Sequence, residues 1–328
     1  MLLGFAATQH CNLRCPHCIR DDVETVHEIE PELVSRVVDD AIELWGDLTV
    51  SLTGGEPLIH RRFADLIDSF RERRVSWRMV SNGWHLGRIV PILEHWPPES
   101  IRLSLSGATR QVHDADRGRG SFDRVLLSLG ILTHLRIPAA LTIVIDRRDR
   151  HQIRQAADLA EALGCPALHY ILPQPVPGSA ARDSDLPPSE WLPVKREIDA
   201  LARDPERRTR LRLDYGELLD DPLADCSTFA LERVYVDARG RLSLCCQLSE
   251  YGLNENDVVA DLHEVSLRDA WPLYLEQLGA LRRASRARAA QGDAYDQIAC
   301  IRCARCTGKL DWLSRYPASP WASAAAVV

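Results

Sequence analysis

No stretch of about 18 apolar residues occurs anywhere in the 328-residue sequence, so no segment is predicted to span a membrane. Basic residues are outnumbered as well. Against 47 Asp and Glu there are 40 Lys and Arg, a formal net charge of −7, with no basic stripe of the kind a nucleic-acid surface requires. The opening MLLGFAATQH has no basic segment before its apolar run and reaches a cysteine at once, which argues against a removable secretion signal. Internal repeats are absent too. These absences predict a cytoplasmic protein with neither membrane nor nucleic-acid partners. What is left, 45% hydrophobic and 27% charged, is the mix of an ordinary globular chain long enough for one large domain and a smaller one.

The ten cysteines are not scattered. Cys11, Cys15 and Cys18 form one group, and Cys300, Cys303 and Cys306 another. In a cytosolic chain, close triplets read as metal or cluster ligands before they read as disulfides. Three thiolates spaced Cys-x3-Cys-x2-Cys can hold three irons of a 4Fe–4S cube and leave the fourth iron open. A zinc site is the rival and needs a fourth ligand. His10 and His17 are the obvious choices, and His17 lies between two ligands, where it cannot easily reach the same ion.

Short apolar runs at 2–8, 48–53, 76–81, 101–106, 141–145 and 167–172 alternate with amphipathic helical patterns at 31–45, 63–73, 88–95, 122–135 and 152–163. Six β/α units predict an α/β fold with a parallel sheet, short of the eight that close a barrel, hence a partial (β/α)6 barrel. A proline-rich loop and a helix at 190–202 follow. Further on, LERVYVDARGRLSL reads as a hairpin turning at Gly240, and a helix is expected near 267–281. The predicted organisation is a core at 1–215, a small cysteine-rich α+β domain at 216–316 and a flexible tail at 317–328.

The first cysteine loop, CNLRCPHC, resembles the cluster motif of the radical S-adenosylmethionine (SAM) superfamily, and it does not stand alone. Thr53-Gly54-Gly55-Glu56-Pro57 resembles the family's GGEP segment, Ser81-Asn82-Gly83 its SNG segment, and SLSGAT followed by HDADRGRGSFDRVL its SLDG and HD–RG–GSFD stretches. Each follows a predicted strand. The resemblance implies SAM chelated to the open iron. Gly54 and Gly55 would approach the methionyl ammonium closely, and Glu56 would accept from it. Asn82 belongs to the same ring of SAM contacts. Ser104 and Arg117 are candidates for the carboxylate, with Arg119 a rival. Ser106 stands where the family often has aspartate. Tyr170 and Leu172 are candidates for the adenosine end, and Trp84 and His85 for the lining of the site.

Downstream, Cys226 and Cys245 in the pattern Cys-x13-Gly-x4-Cys resemble the opening of the SPASM and twitch extensions. The full SPASM ending is missing. The resemblance therefore implies one auxiliary 4Fe–4S cluster on Cys226, Cys245, Cys300 and Cys303, with Cys306 a possible replacement and a four-cysteine zinc site the alternative. Cys246 adjoins a ligand and is a candidate hydrogen-atom donor or a spare thiol. Cys165 reads as core. The family chemistry implies an external one-electron reductant of flavodoxin or ferredoxin type. It also implies hydrogen abstraction from a substrate, first a ribosomally made peptide and second a small molecule such as an aminocyclitol or sugar. A non-catalytic electron carrier is the remaining reading. Only ten residues precede Cys11, so no N-terminal peptide-recognition domain is expected.

Overall fold

A computed structural model describes residues 1–19, 26–172, 174–177, 186–214 and 223–325. Strand β1 (Leu2–Thr8) is apolar on both faces, and its Leu3, Phe5, Ala6 and Ala7 are fully buried, as befits the middle of a covered parallel sheet. It lies between β2 (Thr49–Gly54) and β8 (Arg233–Val236), parallel to both. From β2 the sheet continues in parallel through β3 (Ser76–Ser81), β4 (Ser100–Leu105), β5 (Ala139–Val144) and β6 (Ala167–Ile171) to β7 (Arg210–Asp214). On the other side of β8 come the antiparallel β9 (Arg241–Ser243) and β10 (Val258–Asp261). Strands β7 and β10 are the two ends of the strand order. The fold is thus the expected open, partial α/β barrel.

Helices α1 (Pro31–Trp45), α2 (Phe63–Glu72), α3 (Val90–His95), α5 (Ser121–His134) and α6 (Ile153–Ala162) fill the expected positions between strands, with a short α4 (Arg110–Arg117) preceding α5. The α1 pattern shows why. Pro31 sits at the first helical position, and Leu33, Val34, Val37, Val38 and Ala41 form one buried face at helical spacing. Helix α7 (Pro188–Ala202) leads to β7. Much of the proline-rich loop before α7 lies outside the described residues.

Some features add to or differ from expectation. Strand β7 has no counterpart among the six expected strands, because its alternating arginines, Arg210-Leu211-Arg212-Leu213, break up the apolar run. The hairpin expected to open a separate domain is hydrogen-bonded to the core instead, with Leu2 opposite Arg233 and Phe5 opposite Val236. The helix expected near 267–281 runs on through the arginine run: α8 spans Leu267–Ala289. Its charges are neutralised in place, Arg282 and Arg286 on Asp225, and Arg288 on Asp296. The last triplet lies on α9 (Ala299–Cys306). Residues 317–325 of the expected tail are packed, with Trp321 buried between Trp191 and Tyr295; an indole gains more from that burial than a free end would. Among the described residues, no helix is long and apolar enough to cross a membrane.

Candidate active site

One cavity of about 260 Å³ opens at the C-terminal ends of the parallel strands, where folds of this kind place their sites. Cys11, Cys15 and Cys18 line it together with Gly54, Gly55, Asn82, Ser104 and Arg117. The structure therefore brings eight of the sequence-predicted residues into one space. Local backbone explains much of this. Gly54 has φ +123, and a Cβ there would lie 2.4 Å from the Thr8 carbonyl oxygen; at Gly55 it would lie 2.0 Å from that of His10. The N–H groups of Gly55 and Glu56 donate to the Thr8 and His10 carbonyls, both at 2.7 Å. The two glycines are thus needed for close approach to the exit of β1, which pins the cysteine loop against β2.

Glu56 departs from its expected role. Its side chain does not line the cavity; it is fully buried and accepts from Ser81 Oγ at 2.9 Å, Asn82 N at 2.7 Å and Leu58 N at 3.2 Å. Burial raises its carboxyl to about 7, against the pull of those donors and of Arg117. It acts by holding the turn after β3. From that turn Asn82 Nδ2 reaches Asn12 Oδ1 at 2.9 Å and Cys11 Sγ at 3.9 Å, tying the third strand to the cysteine loop. Burial raises the Cys11 thiol to about 11, and the nearby Cys15 and Cys18 add to the rise.

Arg117 lines the cavity and donates from Nε to Ser106 Oγ at 2.6 Å. Ser106 thereby fixes the guanidinium without the charge of the aspartate often found there. Arg119, its rival, is exposed and does not line the cavity. His17 lines it too, 3.8 Å from Asp116, and burial together with Arg117 and Arg148 lowers it to about 3. Leu172 is in the lining. Tyr170 is not: it is buried, with its hydroxyl on the Ile153 carbonyl at 2.7 Å. Trp84 and His85 turn away into a second pocket. Sequence reading missed Arg102, Thr142 and Gln247 in the lining. The signal for the first was there: in β4 the apolar Ile101, Leu103 and Leu105 alternate with Arg102 and Ser104, which face the cavity.

The second constellation adjoins the first. Cys245 interacts with Cys246, Cys226 and Cys300, and Cys303 with Cys226 and Cys306. The hydrogen bond with Cys246, and then burial, push Cys245 well above the usual thiol range, and burial together with its cysteine neighbours does the same for Cys303. Cys306 also lies near Arg288, Arg302 and Arg305. Cys246, next to Cys245, lines the first cavity along with Gln247. Cys165 is buried, with its thiol 3.4 Å from the Ala167 carbonyl. None of the ten cysteines is joined in a disulfide.

The family profile of the radical SAM superfamily matches residues 6–160, the segment that carries the cysteine loop, Gly54, Gly55, Asn82, Ser104 and Arg117. That segment is a radical SAM domain. Among curated relatives, mycofactocin maturase MftC of Mycolicibacterium smegmatis is 28% identical over 165 residues, 49% of this chain and 42% of that protein. A probable GTP 3′,8-cyclase of Metallosphaera sedula is 28% identical over 178 residues, 53% of this chain and 56% of the cyclase. The chain spans about half the length of the curated relatives it matches. Among solved structures, Streptococcus suis SuiB bound to S-adenosylmethionine has a TM-score of 0.71 at 16% identity, covering 86% of this chain and 68% of SuiB. That likeness is one of fold.

The donor set of this site suits the groups that a radical SAM domain implies. Soft thiolates select iron–sulfur clusters, and Cys11, Cys15 and Cys18 share a cavity with a guanidinium that matches a carboxylate. Among the described residues, no three His, Cys, Asp or Glu side chains surround a point that one metal ion could fill; a cube that spreads its ligands over separate irons needs no such point.

Proposed function

We propose that this chain cleaves SAM reductively and uses the resulting 5′-deoxyadenosyl radical to take a hydrogen atom from a residue of a ribosomally made peptide, leading to a crosslink, a thioether or an inverted residue. The observation that carries this reading is the single cavity shared by Cys11, Cys15, Cys18, Arg117 and Cys246. In it, Cys11, Cys15 and Cys18 hold the cluster, whose bound form with SAM supplies the one-electron cleavage. Arg117 and Ser104 bind the carboxylate of SAM, and the Gly54–Gly55 backbone its ammonium. Apolar Val80, Val144, Ile171 and Leu172 keep water from the space where the radical would form. Cys226, Cys245, Cys300 and Cys303 hold an auxiliary cluster, with Cys306 as the reserve ligand.

The peptide class draws support from the likeness to a maturase and to SuiB, also solved bound to a precursor peptide, SuiA. A small-molecule substrate is the second reading, favoured by the likeness to a GTP cyclase. Within the peptide reading, the Cys246 thiol completes an inversion. It gives its hydrogen atom to the substrate carbon radical, and the sulfur radical left behind takes one electron from the external carrier and a proton from solvent.

The test is anaerobic reconstitution with reductant, followed by mass spectrometry of 5′-deoxyadenosine and of candidate peptides and sugars. Cys15→Ala is expected to abolish 5′-deoxyadenosine, and its persistence would refute the SAM assignment. Cys246→Ala is expected to keep SAM cleavage while losing the single solvent deuterium that an inverted product carries after turnover in D2O. Undiminished deuterium in that variant removes Cys246 from the chemistry.

A further inference from the structure

The turn after β3 has two sides. Ser81 and Asn82 line the cavity, whereas Gly83 begins a separate pocket of about 230 Å³. Trp84, His85, Arg88, Arg124, Leu127 and Ser128 line this second pocket. Its rim is exposed: Arg88 and Arg124 face solvent, and Leu127 is 56% accessible. The Arg124 guanidinium lies 5.4 Å from the centre of the Trp84 ring. His85 is pulled below its usual range by burial and by these two arginines, so the pocket's charge is theirs.

Several surface arginines are matched by acids, as Arg62 is by Glu32 and Asp65, Arg73 by Asp39 and Arg268 by Asp40, while others, such as Arg74 and Arg154, stand apart from any aromatic ring or pocket among the described residues. Among the described residues neither Arg88 nor Arg124 has a carboxylate within ion-pair distance. On a chain of net charge −7, two unmatched guanidiniums beside an aromatic ring and an exposed leucine make a local site for an acidic partner.

The pocket is also wired to the cysteine loop. Trp84 N donates to Asn82 Oδ1 at 2.9 Å, and Asn82 Nδ2 reaches Asn12 at 2.9 Å and Cys11 Sγ at 3.9 Å. Ser128 Oγ holds the Gly83 carbonyl at 2.7 Å, fixing the turn from the pocket side. A group seated here would touch the turn whose Asn82 reaches the cysteine loop, without entering the cavity that SAM and substrate would fill.

We propose that this pocket is the docking point of an acidic one-electron carrier protein of flavodoxin or ferredoxin type. The proposal rests on the radical SAM reading above, which requires an electron delivered while the cavity is occupied. The carrier loses one electron on each docking and leaves oxidised by one. Arg88 and Arg124 meet its acidic rim, and Trp84 and Leu127 its apolar centre.

The test uses the reconstituted enzyme, an acidic flavodoxin kept reduced by NADPH and its reductase, and dithionite as a small reductant. In the R88E/R124E double variant, flavodoxin affinity and flavodoxin-supported 5′-deoxyadenosine formation should each fall about tenfold or more. Dithionite-supported formation should stay at the wild-type rate, and R88K/R124K should keep most of the carrier-supported rate. Raising salt should slow the wild type with flavodoxin and leave the charge-reversed variant unchanged. Unaltered flavodoxin binding in R88E/R124E would overturn the proposal, as would an equal loss with both reductants. So would intact flavodoxin binding with weakened peptide turnover under dithionite, which would make the pocket a substrate contact. Absence of 5′-deoxyadenosine from the wild type with both reductants would fell the proposed function instead, and the binding measurement would still decide the docking.

Discussion

Glu56 shows how the fold can give a motif residue a task that its spacing does not reveal. The sequence places a carboxylate beside two glycines, and a direct contact with the ammonium of SAM follows from the resemblance. Folding turns it inward, onto Ser81 and Asn82, where its surroundings raise it from the ordinary 4.5 to about 7. Between those pH values the folded chain holds a proton that the unfolded chain has released. This contribution to stability is therefore full below the unfolded value and is lost as pH rises to about 7, by ~3 kcal/mol in all. Glu56→Gln removes the titration. Denaturant unfolding at pH 5 and pH 8 should show a smaller difference for the variant than for the wild type; an unchanged difference would show that Glu56 is not the group responsible. Arg117 is the opposite case, since both its selection over Arg119 and its partner Ser106 lie within a short stretch of sequence.

At the scale of elements, the regular β/α units were legible because periods of two and of about 3.6 residues are local properties of the chain. Strand β7 was not, since its alternating arginines break up the apolar run by which the other strands are read. The cysteine-bearing segments are joined by a contact that no local pattern reveals. Lys309, just past α9, is 1% exposed and lies 2.5 Å from Asp257, itself 2% exposed and fully within the core. Lys309 Nζ also donates to the Asn254 carbonyl, and the Asp257 carbonyl accepts from Leu244 N at 2.8 Å, one residue before Cys245. The pair thus staples the Cys245 segment to the helix of Cys300 and Cys303. Lys309→Met should cost about 3–5 kcal/mol by stranding Asp257 in the core. The Lys309→Met/Asp257→Leu double variant should recover part of that loss in thermal unfolding. A double variant no more stable than the single one would argue against a stranded charge as the cause.

For the whole molecule, the continuous sheet decides how the two cysteine groups relate. Because β8 pairs with β1, the hairpin that precedes Cys245 and Cys246 is built onto the strand that precedes Cys11. The reconstituted protein is expected to hold about eight irons, four per cluster. Replacing both Cys300 and Cys303 by serine should remove about half of them while leaving reductive SAM cleavage measurable. A wild-type content of about four irons with one zinc would instead give the C-terminal thiols to zinc.

The loop CNLRCPHC, the strand-end motifs and the partial barrel were determined by the sequence itself, because spacing, glycine placement and apolar periodicity act over short stretches of chain. Only the tertiary structure decided that Glu56 supports rather than lines the cavity, that Trp84 and His85 belong to a separate pocket, and that Cys246 faces the same space as the first three cysteines. The reason is physical. Which way a side chain points from a strand end, and which residue hundreds of positions away comes to face it, depend on how the sheet continues from β1 into β8, and no local period encodes that pairing.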